Sequence, residues 1–258
     1  MSTAGQRMVY QWIKNSQFDL GAALRRLRLA AGPAACLLCD LHADTSHALC
    51  GACQDELPWL GAHCSVCALP LPAAGLTCAH CLRRPPNFAR VEAPWRYAFP
   101  VDALITRFKH QSAWPLGRLL AGLLAEHLRH AHLEGLPRPE LLLPVPLARA
   151  RLRRRGFNQA ALLARWLGEA LRMEVREDLV LRPQDTAAQQ GLDAAARKRN
   201  LRGAFALSDA PAVAGRHVAL VDDVLTTGAT VEALARLLRR AGATRVDIYC
   251  LARTPAPD

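Results

Sequence analysis

Cysteine pairs of the form Cys-x-x-Cys recur at one fixed interval, at Cys36/Cys39, Cys50/Cys53, Cys64/Cys67 and Cys78/Cys81, with ten residues between successive pairs and a period of 14. A knuckle of this kind lets two thiolates converge on one ion, and two knuckles complete a tetrahedral sulfur shell. Eight cysteines therefore suit two structural zinc ions. Disulfides, an iron–sulfur cluster and a redox pair are the rival readings. Reduced thiols, full fourfold occupancy and even spacing favour zinc over all three. Because the three gaps are equal, spacing leaves two pairings open: first knuckle with second, which we prefer, or a crossed arrangement of first with third. A closed four-sulfur shell has no position for water, so the zinc is expected to hold structure and not to perform chemistry. His42, His47, His63 and His80 lie close by and are expected to be loop histidines. Cys250 stands alone in an apolar run and reads as a core residue.

Eight of the nine cysteines fall between Cys36 and Cys81, which divides the 258 residues into an N-terminal arm or helix (1–33), a double zinc ribbon (34–86) and a larger domain (87–258). A hydrophobic content of 51% is ample for a core. No apolar run is long enough to span a bilayer, and residues 20–32, the nearest approach, are broken by Arg25, Arg26 and Arg28. A soluble cytoplasmic protein is expected. The net charge of +11 comes from 33 basic against 22 acidic residues, with lysine only at Lys14, Lys109 and Lys198. Such an excess favours polyanionic partners, either nucleic acid or phosphorylated small molecules.

Beyond residue 86 strand-like and helix-like patterns alternate, as in an α/β fold with a mostly parallel sheet. Strands are expected over residues 92–97, 141–145, 178–182, 217–221 and 246–251. Helices are expected over 102–110, 116–132, 158–172 and 230–241, the last ending at Gly242. Within residues 217–230 (HVALVDDVLTTGAT) an apolar strand runs into Asp222 and Asp223, then into Thr226, Thr227, Gly228, Ala229 and Thr230, and then into a helix. Two adjacent carboxylates at the carboxyl end of a parallel strand can accept hydrogen bonds from vicinal ribose hydroxyls. The turn that follows offers backbone N–H groups, threonine hydroxyls and a helix N-terminus to a phosphate, with Gly228 allowing close approach.

That segment resembles the phosphoribosyl pyrophosphate signature of the type I phosphoribosyltransferases. Three further stretches, Leu143-Pro144-Val145-Pro146-Leu147, Arg155-Gly156-Phe157-Asn158-Gln159 and residues 189–205, together with the cysteine knuckles, resemble the ComF family. In that family a double zinc ribbon precedes a Rossmann-like phosphoribosyltransferase domain, and its members are linked to DNA uptake or utilisation. The resemblance spans residues 36–253. It implies that Pro144, Val145, Pro146 and Leu147 form the loop near the pyrophosphate, with Arg155, Gly156 and Asn158 opening the adjacent helix. It also implies that Thr186, Gln189, Arg197 and Asn200 belong to a mobile loop that closes over substrate. Lys109 matches the family's short lysine motif. Purine-salvage relatives carry an acid where this chain has Thr226, so a purine acceptor is not implied.

The reaction such an enzyme performs is displacement of pyrophosphate from the anomeric carbon of ribose by a nitrogen nucleophile. Asp222 and Asp223 hold the ribose beside the developing cation. Magnesium arrives with the substrate and, with the five arginines between Arg149 and Arg155, stabilises the leaving diphosphate. The expected partner is phosphoribosyl pyrophosphate. The competing expectation is a non-catalytic competence factor that binds single-stranded DNA or proteins of the competence machinery, with the nucleotide site regulatory. An aromatic content of 5% leaves few rings for stacking bases, which ranks the nucleotide-site reading first.

Overall fold

A computed structural model describes residues 35–43, 45, 47–183 and 204–256, and the chain separates into two compact units, Met1–Leu57 and Pro58–Asp258. The expected N-terminal arm and the loop positions Thr186, Gln189, Arg197 and Asn200 lie outside the described residues.

In the smaller unit the first knuckle is a tight turn. The Cys36 N–H donates to the Leu41 carbonyl at 2.6 Å, the Leu37 N–H to Ala48 at 3.0 Å, and Asp40 takes a left-handed φ of 61°. The second knuckle starts the short helix α1, Gly51–Asp55. The larger unit repeats this design at twice the cysteine interval. There the Cys64 N–H donates to Leu69 at 2.8 Å, the Ser65 N–H to Leu76 at 2.9 Å, Ala68 has a φ of 55°, and helix α2 spans Ala79–Arg83. The structural repeat is thus a pair of knuckles, one turn and one helix start.

The rest of the larger unit is built on a six-stranded parallel sheet. Its strands are β1 (Arg90–Glu92), β2 (Trp95–Arg96), β3 (Leu141–Pro144), β4 (Glu174–Val175), β7 (His217–Leu225) and β8 (Arg245–Arg253), in the order β1-β8-β7-β3-β4 with β2 also on β8. A separate antiparallel pair joins β5 (Val180–Leu181) to β6 (Ala206–Leu207). The helices are α3 (Val101–Gln111), α4 (Trp114–Leu133), α5 (Arg149–Arg155), α6 (Gln159–Leu171) and α7 (Ala229–Arg240). Helix α6 packs on β3 and β7, and α4 on α6 and β8. One core joins Leu141, Leu143, Val218, Leu220, Val246 and Ile248 of the strands to Val231, Leu234 and Leu238 of α7, and takes in Leu60 and Ala68 from the second ribbon segment. Strands covered on both faces read as near-continuous apolar runs, which is why β7 and β8 were legible.

Three expectations shift. The strand expected at 92–97 is two strands, because Pro94 cannot donate to the ladder. Its carbonyl accepts the Leu60 N–H at 2.8 Å instead. The strand at 178–182 forms, but in the side ribbon. The strand at 217–221 continues through both acids to Leu225.

Helices α3 and α4 meet at Gly117, where a Cβ would lie 2.5 Å from Phe108 Cε2. The Phe108 ring is fully buried and sits 5.8 Å from Phe157 and 5.9 Å from Trp166, so it has little room to move. Gly117→Ala is therefore expected to lower stability by about 1–2 kcal/mol despite its better helix propensity, readable as a drop in urea midpoint. An unchanged or raised midpoint would show that this contact is slack.

Candidate functional site

The eight cysteines gather as two quartets, Cys36, Cys39, Cys50 and Cys53 in one unit and Cys64, Cys67, Cys78 and Cys81 in the other, with the four sulfurs of each within 4.8 Å of one another. Pairing is sequential. The Cys39–Cys50 and Cys67–Cys78 Sγ atoms are each 3.7 Å apart. A tetrahedron with Zn–S bonds of about 2.3 Å has edges of about 3.8 Å, whereas a disulfide needs about 2.05 Å. Each quartet thus fits one structural zinc ion. Backbone N–H groups point at the sulfurs: Leu38 donates to Cys36 Sγ at 3.4 Å and Cys78 to Cys64 Sγ at 3.3 Å. Burial raises the Cys64 thiol, but the N–H groups of Cys67, Cys78 and Val66 outweigh it and bring the thiol down to about 7. The nearby His42 and His63 turn to backbone oxygens, Ala43 at 2.9 Å and Gly61 at 2.6 Å. Cys250 is a fully buried core residue whose thiol is pushed up by that burial and by Asp222.

The acidic pair ends the central strand. Asp222 lies opposite Cys250 in the β7–β8 register, and Pro144 lies opposite Val221, so the loop of Pro144, Val145, Pro146 and Leu147 leaves β3 beside the acids. The Asp222 carboxylate accepts the Asp223 N–H at 2.8 Å, and Asp223 accepts the Val224 N–H at 2.7 Å. Lys109, at the end of α3, reaches Asp223 with Nζ–Oδ2 at 3.0 Å. Burial, followed by the neighbouring Asp223 carboxylate, pushes the Asp222 carboxyl up to about 7.

After the acids the chain opens into the turn. Thr226 and Thr227 are exposed, Gly228 takes a left-handed φ of 76° as the N-cap of α7, and Ala229 and Thr230 begin that helix. Only glycine takes this φ without strain. The backbone N–H groups of Thr226, Thr227 and Gly228 find no acceptor among the described residues. Together with the N-terminus of α7 they form a cradle suited to an anion.

Helix α5 adds cationic charge. Arg155 is close enough to Asp223 for that carboxylate to act on it, and burial lowers its own pKa. Its Nε is buried with no partner among the described residues, a donor suited to a further anion. Asn158 has another task, since its Nδ2 donates to the Val145 carbonyl at 3.0 Å and its Oδ1 accepts the Ala160 N–H at 3.1 Å. It fixes the 144–147 loop to α6. Sequence reasoning missed two contributors. His110 lies near Arg155, Lys109 and Arg154, and burial followed by those charges lowers its pKa. Arg253 donates to the carbonyls of Leu225 and Thr226. No local motif announces either residue. Gln189 and Arg197 lie outside the described residues.

Residues 152–257 match the phosphoribosyl transferase domain family, and residues 30–82 match the double zinc ribbon domain family. DNA utilization protein YhgH of Salmonella typhi is 38% identical over 228 residues, covering 86% of this chain and 98% of that one. Competence protein F of Haemophilus influenzae is 36% identical over 225 residues, covering 84% and 96%. DNA utilization protein YhgH of Escherichia coli K12 is 42% identical over 175 residues, covering 67% and 76%. No described helix is long and apolar enough to cross a membrane.

Two outcomes follow from this geometry. Elemental analysis should find two zinc ions per chain, with one lost in Cys36→Ser and the other in Cys64→Ser. Only the second loss should lower the melting temperature of the larger unit, and an equal effect of both would contradict the division into units. The acid pair gives a pH signature. Unfolded, Asp222 ionises near about 4; folded, it ionises near about 7. The folded state therefore holds a proton that the unfolded state has lost, and stability falls as pH rises through that window. Asp222→Asn should be more stable than wild type by about 1–3 kcal/mol at about pH 8, the difference vanishing near about pH 4. Melting curves across that range test it, and a pH-independent difference would refute the assignment.

Proposed function

From the premise that this chain belongs to the family of competence protein F and DNA utilization protein YhgH, in which a double zinc ribbon precedes a phosphoribosyltransferase domain, we propose that it binds phosphoribosyl pyrophosphate at residues 222–230 and transfers its phosphoribosyl group. The observation that carries this reading is the unpaired cradle of Thr226, Thr227 and Gly228 N–H groups directly after two adjacent carboxylates. Sugar recognition and phosphate recognition need those groups in that order along one strand end.

In this reading the cradle and the hydroxyls of Thr226, Thr227 and Thr230 hold the 5′-phosphate. Asp222 and Asp223 accept the ribose hydroxyls and stand beside the positive charge that develops as the anomeric C–O bond breaks. The bond to pyrophosphate breaks, its electrons leave with the diphosphate, and an incoming nitrogen forms the new bond. Pro144 to Leu147 and Arg155 face the leaving group, where the half-buried guanidinium, with its buried Nε, supplies charge-assisted hydrogen bonds. Magnesium would add charge neutralisation there, and the Asp222/Asp223 pair is an oxygen donor set that would suit it. Lys109 holds Asp223 at 3.0 Å and would exchange partners when substrate arrives. Both zinc ions are structural.

The names of the relatives support a role in the use or uptake of DNA, which would take place in the reducing cytoplasm where eight thiolates remain available to zinc. The exposed arginines of α5, Arg149, Arg153 and Arg154, are the groups a DNA-contact reading would use.

Calorimetry with magnesium and phosphoribosyl pyrophosphate should show binding that weakens about a hundredfold in Asp222→Asn plus Asp223→Asn. Near neutral pH the binding should release protons from Asp222, so the apparent enthalpy should vary with the buffer's ionisation heat. Absence of binding by the zinc-replete wild type would overturn this reading and leave DNA contact as the occupation of the basic face.

A further inference from the structure

The last residue of β8 makes contacts that a strand end does not require. Arg253 is 7% exposed, and its guanidinium spans two parts of the larger unit that are far apart in sequence. Nε donates to the Cys67 carbonyl at 3.0 Å. Nη1 donates to the carbonyls of Leu225 at 3.1 Å, Thr226 at 2.5 Å and Thr254 at 2.7 Å, with Thr254 Oγ1 at 3.3 Å. Cys67 belongs to the second zinc quartet. Leu225 and Thr226 are the entry to the phosphate cradle.

Peptide geometry converts this grip into an orientation. In a planar trans peptide the C=O of one residue and the N–H of the next point in opposite directions. Fixing the Leu225 and Thr226 carbonyls on Arg253 therefore aims the N–H groups of Thr226 and Thr227 away from it, and these are among the donors that find no acceptor in the described residues. The Thr254 N–H adds a second hold on Leu225 at 3.0 Å.

Charge runs along the same bridge. No carboxylate lies within ion-pair distance of Arg253 among the described residues, and its buried charge is met by the carbonyls of Cys67, Leu225, Thr226 and Thr254 and by the Thr254 hydroxyl. A zinc ion held by four thiolates is a net anionic centre, and the carbonyl of its ligand Cys67 accepts a hydrogen bond from this guanidinium. The cation thus stands between an anionic metal centre and a cradle shaped for a phosphate.

We propose that Arg253 is a positioning residue that couples the second zinc centre to the phosphate cradle, so that zinc held by Cys64, Cys67, Cys78 and Cys81 and phosphoribosyl pyrophosphate bound at residues 222–230 strengthen each other. The coupling to that ligand rests on the function proposed above, while the mechanical link between zinc and cradle does not. Reciprocity is required at equilibrium: if zinc raises the affinity for the ligand, the ligand raises the affinity for zinc by the same factor.

The test is zinc release to an excess of chelator from the full chain, followed with and without magnesium and phosphoribosyl pyrophosphate. Cys36→Ser, which keeps the second ion, assigns the two phases. The ligand should slow release of the second ion about fivefold or more and leave the first unchanged. Arg253→Lys keeps the charge but lacks the fork needed to reach Cys67 and the cradle together, so it should abolish this slowing and weaken ligand binding by a similar factor. A release rate indifferent to bound ligand in the wild type, or full coupling in Arg253→Lys, overturns the proposal. Should the wild type bind no phosphoribosyl pyrophosphate, the functional reading fails on its own. The link is then judged by hydrogen exchange: stripping the second zinc from wild type should speed amide exchange at residues 226–230, and unchanged exchange overturns it. The wild-type measurements decide the matter even if the variant does not fold.

Discussion

Two carboxylates on consecutive residues at the end of a buried strand set the terms for everything around them. Asp222 and Asp223 follow four residues of β7 that are fully buried, and the dry surroundings that favour a strand disfavour charge. Two like charges about 4 Å apart repel by about 4 kcal/mol in such partly screened surroundings. The protein meets this cost in three ways. Asp222 keeps a proton to about pH 7, the following backbone N–H groups bond the carboxylates, and cations approach from two separate helices, Lys109 from α3 and Arg155 from α5. A strand whose only task was to fill a sheet would not carry this pair. The pair stands at the edge where β3 and β7 both release their loops, which is where the proposed ligand would sit.

The second ribbon is drawn into the same arrangement by packing. A short cysteine-rich segment has too little apolar surface to form its own core, so metal ligation supplies its folding energy. Leu60 and Ala68 nevertheless enter the main core, the Val91 N–H donates to the Val66 carbonyl at 2.9 Å, and Arg253 grips Cys67. The first quartet repeats the turn geometry of the second but belongs to its own compact unit. Two copies of one local design thus carry different physical burdens. One is bounded by its own turn, while the other packs into the main core and is tied by Arg253 to the turn after the acids.

What could be read from the sequence was whatever is written locally. The acid pair, the threonine turn and the start of α7 are contiguous, so the passage from strand end to turn to helix is legible in the sequence. The knuckles were equally plain, yet their pairing was hidden because equal gaps carry no information. It shows only in the fold, where the Leu37 N–H meets the Ala48 carbonyl and the Ser65 N–H the Leu76 carbonyl, bringing each knuckle to the next one along the chain. Pro94 breaks the strand expected at 92–97 because its ring removes one donor, a signal that was present in the sequence but outvoted by the apolar run around it. Asn158 was expected to open the helix after the 144–147 loop and does so, capping α6, while its bond to the Val145 carbonyl could not be read from the sequence. Arg253 was invisible for a different reason: its partners, Cys67 and Leu225, are remote in sequence from it and meet only when the sheet is assembled.

Arginine and lysine divide their tasks here according to their shapes. Lysine is rare in the chain, and the one lysine among the described residues, Lys109, is an ammonium resting on Asp223. A compact charge on a flexible stem can change partners cheaply when another group competes for the carboxylate. Arg253 is buried and addresses carbonyls on three segments, which only a planar fork with fixed donors can do at once. Arg155 lies between these cases, partly buried, influenced by Asp223, and left with one donor unused. The large arginine excess therefore has no single meaning. On α5 its exposed members keep a basic face in water, at Arg155 one guanidinium is held ready for an anion, and at Arg253 another has been withdrawn from solvent to shape the backbone that would receive it.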